Sequence, residues 1–168
     1  MAYAIVRTDL LTGTDDRAHL THLKYVKNGE LTEIENGSVV ALKNLYTEEG
    51  VVLDREVWEA CDIEADTPLH DIILVASVEL NDDNSDIDLG KYINVAGHIC
   101  RGYHLHSGNM YSVTAEALTG SPAVGSLVVA AAGTKLAVAA DAGSATKVGT
   151  IVAEEVVGKD TYWVIKVA

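Results

Sequence analysis

LTHLKYVKNGELTEIENGSVVALKNLY (residues 20–46) holds two Asn-Gly pairs within ten residues, Asn28-Gly29 and Asn36-Gly37. Asn-Gly suits two-residue hairpin turns, whose central residues both need φ > 0. The flanking LTHLKYV, ELTEI and SVVALKNLY are of strand length and mix apolar with polar residues. Two tight turns so close together predict a β-rich start.

Working outward, the same grammar recurs. Before these turns, Tyr3, Ile5 and Arg7 alternate against Ala4 and Val6 and run into the turn-like Thr12-Gly-Thr-Asp-Asp16, which reads as a strand or extended arm over residues 1–16. After them, REVWEACDI (55–63) passes as a strand burying Val57, Trp58 and Cys61, although Asp54 could instead cap a helical turn. DIILVAS (71–77) is a short continuous apolar run, the pattern of a strand buried on both faces. Ser85 can cap a short helix near 86–96, with Asp86 and Asp88 at its positive end, Leu89, Ile93 and Ala96 at helical spacing, and Gly97 as the stop.

From His98 onward the pattern is β again. MYSVTAEAL (110–118) and DTYWVIKVA (160–168) alternate, and AAGTKLAVAADAGS reads as a hairpin. PAVGSLVV (122–129) and TKVGTIVA (146–153) form a weak internal repeat. The expected fold is mainly β, a β-rich α+β chain with a small C-terminal barrel or sandwich, one short helix and an extended N-terminal arm.

Composition agrees. Val, Ala, Leu and Ile supply most of the 48% apolar content, Phe is absent and Trp occurs only at 58 and 163, which favours pleated, closely packed surfaces. No apolar run approaches membrane-spanning length, and the start carries no cationic segment or cleavage pattern of a secretory signal. The expectation is a soluble chain made in the cytoplasm. The net charge of −13 is uneven: residues 1–100 hold 20 acids and 7 Lys/Arg, residues 101–168 hold 5 of each. An N-terminal arm (1–16), an acidic β-rich region (17–97) and a neutral barrel-like region (98–168) follow from that division. Such a surface repels phosphate backbones, so no nucleic-acid partner is expected.

Candidate chemistry is sparse. No nucleophile elbow, phosphate-binding glycine loop, dinucleotide fingerprint or zinc-protease helix motif is present. Asp82, Asn84, Asp86 and Asp88 mimic the first positions of a calcium loop, but Ile87 stands where the turn needs Gly and Ile93 where a bidentate Glu belongs. In RGYHLHSG (101–108), His104 and His106 are two apart and share a face if the chain is extended there. With His98 and Cys100 they offer nitrogen and sulfur ligands, yet the spacing matches no common zinc site. An anion site from Arg101 and His104 is the other possibility. Cys61 and Cys100 are too few for a disulfide framework. No catalytic residue, metal or cofactor is assigned.

Four segments together carry a resemblance: AIVRTDLLTGTDD (4–16), INVAGHICRGYHLHSGNMYSVTAEAL (93–118), PAVGSLVVAAAGTKLAV (122–138) and KVGTIVAEE (147–155). The arrangement resembles capsid decoration, or cement, proteins encoded beside the major capsid gene in tailed phages of Gram-positive bacteria. That resemblance implies a structural virion protein, not an enzyme, that binds the outside of the expanded head and partners the major capsid protein. It implies a homotrimer or other homo-oligomer whose terminal arm adds a strand to an exposed edge of the capsid protein. The stretch matching such an arm is centred on Tyr3, Ile5 and Arg7. The alternatives are a metal- or carbohydrate-binding surface module, with His104 and His106 or the acidic loop as its site, or another virion component such as a head-fibre or tail protein.

Overall fold

The computed structural model describes residues 3–6, 19–52, 56–79 and 89–168. Asn28-Gly29 turns the chain as its sequence predicts: both residues have positive φ, 54° and 83°, and they join β1 (Leu20–Lys27) to the short β2 (Glu30–Leu31) in antiparallel register. Then come β3 (Val39–Leu45), the small hairpin β4 (Thr47–Glu48) and β5 (Val51–Val52), β6 (Val57–Cys61), β7 (Ile72–Val75) and β8 (Cys100–His104). Strand β1 pairs with β6, β6 with β3, β3 with β7 and β7 with β8; β8 then returns to β1. The five strands close a ring, and closure removes the exposed edges that an open sheet would leave. Within the ring only the β1–β6 pair is parallel.

The interior is filled by alternation. Leu23 and Tyr25 of β1, Val40 of β3, Ala60 of β6, Ile73 and Val75 of β7 and Cys100 of β8 form one buried cluster, with Ile34 at its end. Side-chain period two sends the intervening residues outward. Ile72 and Leu74 therefore leave the ring on its far side, and all four residues of β7 are buried. The apolar run DIILVAS is a strand covered on both faces, as its sequence indicates.

What covers the far side is a second sheet. It consists of β9 (Met110–Val113), β10 (Leu118–Thr119), β11 (Leu127–Val129), β12 (Leu136–Ala139), β13 (Lys147–Val157) and β14 (Asp160–Val167), in the order β10-β12-β11-β13-β14-β9. Val39, Ile63, Ile72, Leu74, Ala76 and Leu105 from the ring side share one core with Tyr111, Val113, Val128, Leu136, Val148, Ile151, Ile165 and Val167. Each such side chain contributes on the order of 1.5–3 kcal/mol, so the two sheets are held as one body. The two copies of the weak repeat meet here: Val128 lies opposite Gly149 where β11 pairs β13. The change of sheet falls between His104 and Met110, so β8, which the charge division groups with the C-terminal region, belongs to the ring. The closed ring thus lies within residues 20–104, and the C-terminal strands form an open sheet.

Three local readings are changed. Residues 3–6 do not extend from the molecule. Val6 bridges Val113, Thr114 N–H donates to the Ile5 carbonyl at 3.0 Å, and Ile5 N–H donates to Thr114 Oγ1 at 3.1 Å. Ala4, Ile5 and Val6 are buried, so this segment lies along the chain's own β9, joined to it by an isolated bridge.

Asn36-Gly37 is not a hairpin turn. Gly37 has φ 83°, but its N–H donates to Val75 O at 2.8 Å. The buried Asn36 amide exchanges hydrogen bonds with the Ser77 backbone, donating to its carbonyl at 2.9 Å and accepting from its N–H at 3.0 Å.

Of the helix expected near 86–96, the described residues 89–96 carry one 3-10 turn, Leu89–Lys91. Asn94 and Ile34 exchange two backbone hydrogen bonds of 3.0 Å, and the Asn94 amide donates to Asn36 Oδ1. That bridge holds extended a stretch whose apolar spacing alone suits a helix. Ser85 and the acidic Asp82–Asp88 loop lie outside the described residues.

Candidate functional site

The stretch RGYHLHSG leaves the ring at its closing strand, and its neighbours there decide what it can do. Gly102 faces inward: a Cβ at this position would lie 2.5 Å from Ile73 Cγ2 and 2.9 Å from Leu23 Cδ2. Cys100 is also inside, and burial pushes its thiol up to about 11, which makes it a poor nucleophile at neutral pH. Arg101 and Tyr103 consequently face out. Tyr103 packs against the shared core, whereas Arg101 opens onto a groove.

Arg101 and His104 therefore point to opposite sides of β8, which rules out an anion site built from that pair. The residue placed beside Arg101 is His22, directly opposite it in the β1–β8 register. With Ser77, Val78, Tyr92 and Ile99 they line an open groove of about 270 Å³. Ser77 organises its floor, its Oγ accepting from Arg101 N–H at 3.0 Å, and the Tyr92 hydroxyl donates to Asn94 Oδ1 at 3.4 Å. Burial first, with Cys100 and the Glu79 carboxylate beside it, raises the Tyr92 hydroxyl above the usual phenol range, so it remains a neutral donor and acceptor.

His104 and His106 are brought near each other, with ring centroids 6.5 Å apart and tilted. His106 stacks on His19 at 4.0 Å, the residue just before β1, whose first residue Leu20 lies opposite Tyr103. Burial first, then the adjacent His106 and His19, holds the His104 imidazole below its ordinary range, while a hydrogen bond with the His70 backbone and the Asp71 charge act the other way. Among the described residues no group of three or more His, Cys, Asp or Glu is arranged to hold a metal ion.

Tyr3 and Ile5 take different places. Ile5 is 5% exposed, whereas Tyr3 lines a shallow groove with Tyr25, Glu33, Glu35 and Lys135. Arg7 lies outside the described residues.

A projecting hairpin is the other surface feature. Beyond Ile151, β13 pairs only with β14 among the described residues. Val156 and Val157 stand at its tip, 70% and 46% exposed. Along the hairpin, from Lys159 and Asp160 at the turn to Glu154 and Trp163, and with Glu116 beside it, runs an open groove of about 460 Å³.

Sequence reasoning singled out Arg101, His104 and His106 but missed His22 and His19. Their roles come from strand register across a ring that closes between residues roughly eighty apart in sequence, and no local pattern encodes that. Comparison with protein-family models, curated proteins and solved structures finds no match.

Proposed function

We propose that this chain is a structural virion protein that binds the outer surface of a phage capsid and stabilises the expanded head. The observation that carries the reading is the β13–β14 hairpin, with exposed valines and a β13 edge that is unpaired among the described residues, in a chain that resembles capsid decoration proteins over most of its length. An exposed strand edge offers main-chain hydrogen bonds to a partner strand. Many identical copies on a shell gain avidity, so each contact can be modest. The capsid contact is assigned to the hairpin and not to the N-terminal segment, because Ala4, Ile5 and Val6 are already used in the chain's own core. The near-neutral charge of residues 101–168 suits close approach to a neighbouring subunit, and a homotrimer is the assembly the resemblance implies.

The test is co-sedimentation of the purified chain with expanded shells assembled from the major capsid protein of the same genome. Wild type is expected to saturate the shells at a copy number set by capsid symmetry. The Val156→Asp, Val157→Asp double variant, at surface positions with little effect on stability, is expected to bind roughly tenfold more weakly or worse. Wild-type protein remaining in the supernatant, or bound in only a few copies per particle, refutes the reading.

A further inference from the structure

The groove around Arg101 is built from two halves of different chemistry. One is polar: the Arg101 guanidinium, the His22 imidazole, the Tyr92 hydroxyl and Ser77. The other is aliphatic: Val78 and Ile99 line the same groove and remain 49% and 41% exposed. Two half-exposed aliphatic side chains beside a cation resemble the composition of protein contact sites more than that of a solvated face.

The state of Arg101 is the telling point. In a chain of net charge −13 a cation readily finds a carboxylate. Lys27, Lys43 and Lys135 do so, with Asp62, Glu59 and Glu35 at 3.6, 3.8 and 3.9 Å. Lys24 is used differently, 4.5 Å over the Tyr46 ring. Arg101 is half-buried and has no carboxylate partner among the described residues. The nearby Glu79 is engaged elsewhere, accepting from Asn36 Nδ2 at 3.1 Å. A guanidinium presents a planar fork of donors matched to a carboxylate, and His22 flanks it from the neighbouring strand.

We propose that this groove docks an acidic segment of a partner protein: a Glu or Asp carboxylate on Arg101 and His22, with an adjacent aliphatic side chain against Val78 and Ile99. The remaining acidic surface does not prevent this at physiological salt, where charges more than about 8 Å away are largely screened. A carboxylate paired with a partly desolvated arginine contributes about a tenfold gain in affinity over its neutral amide. The proposal does not depend on the capsid reading, since it rests on the groove alone.

The experiment is an NMR titration of the full chain with the peptide acetyl-Val-Glu-Val-amide at 0.15 M salt. Its neutral counterpart acetyl-Val-Gln-Val-amide and inorganic phosphate are run in parallel. The Glu peptide is expected to shift the resonances of His22, Ser77, Val78, Ile99 and Arg101 saturably, and the Gln peptide to bind about tenfold more weakly. Arg101→Gln is expected to keep the wild-type denaturation midpoint, because the side chain has no carboxylate partner among the described residues, and to bring the Glu peptide down to the level of the Gln peptide. Equal binding of the two peptides overturns the proposal, as does undiminished binding by Arg101→Gln, shifts confined to another surface, or no shift at all. Shifts of the same residues by phosphate alone, at the same concentration, reassign the groove as a simple anion site and also overturn it.

Discussion

Gly102→Ala is the sharpest probe of the closed ring. The added methyl would sit 2.5 Å from Ile73 Cγ2 and 2.9 Å from both Leu23 Cδ2 and Thr21 Cγ2, where carbon atoms pack comfortably at about 3.5–4.0 Å. Leu23 can swing its terminal methyl away. Ile73 and Thr21 are β-branched and stiff at χ1, so their methyls move only with the backbone. Overpacking of this kind costs about 1–3 kcal/mol, and two immobile contacts place the strain near the top of that range. Restricting the unfolded chain returns about 0.4–1 kcal/mol, which leaves a net loss of about 2 kcal/mol. Thr21→Ser supplies the control. In the wild type it deletes one buried methyl and costs about 0.8 kcal/mol. In the Gly102→Ala background it removes one of the clashes, so its cost should vanish, a coupling of about 1 kcal/mol in a double-mutant cycle. Urea denaturation of the four proteins reads both quantities. A Gly102→Ala loss below about 0.5 kcal/mol, or additivity of the two changes, would mean that β1 and β8 do not close on each other.

Two further outcomes follow from buried polar groups. The Tyr111 hydroxyl is wholly buried and has no hydrogen-bond partner among the described residues. Tyr111→Phe should therefore be neutral or stabilising by up to about 1–2 kcal/mol in urea denaturation, and a loss of more than about 1 kcal/mol would reveal a partner for that oxygen. His104, held below its ordinary range by burial and by His106 and His19 against the opposing His70 carbonyl and Asp71, is preferentially neutral in the fold. As pH falls through about 6.5 the unfolded chain takes up a proton that the fold accepts only at lower pH; stability from this group is therefore present above about 6.5 and is lost as pH falls through the lower folded value. Denaturation midpoints between pH 7.5 and 5.5 should fall in the wild type and fall less in His104→Gln, whereas equal slopes refute the assignment.

The elements legible in the sequence are those whose causes are local. Asn28-Gly29 needs only its own two positive φ angles. DIILVAS needs only enough apolar residues for two covered faces, and Ile72–Val75 supply them. Asn36-Gly37 carries the same dipeptide as the first turn, yet its amide is taken by Ser77 and Asn94, about forty and sixty residues away. The spacing of Leu89, Ile93 and Ala96 suits a helix in isolation, and the bridge between Asn94 and Ile34 overrides it. The histidines divide in the same way: the nearness of His104 and His106 follows from their spacing, while the stacking of His19 on His106 follows from ring closure. The groove at Arg101 belongs to this second class. Its chemistry is visible in one residue, but its partner His22 is supplied by β1.

Arg101 and Gly102 are adjacent on the strand that closes the ring, yet the fold makes opposite demands on them. At 102 the interior leaves no room for a single methyl group beside Ile73 and Thr21, so a change there is felt throughout the ring. At 101 the fold asks only for a residue that tolerates a half-exposed pleated surface, which Thr or Val would satisfy at least as well. The Arg101 backbone N–H, which bonds Ser77 Oγ, is retained by any such replacement. Nothing in the packing of the ring calls for a guanidinium, and its long side chain loses rotamer freedom when half-buried. What a charge at 101 can supply is therefore directed outward. Substitution at 102 should report on folding, and substitution one residue earlier on recognition, through two measurements on the same strand that have no reason to move together.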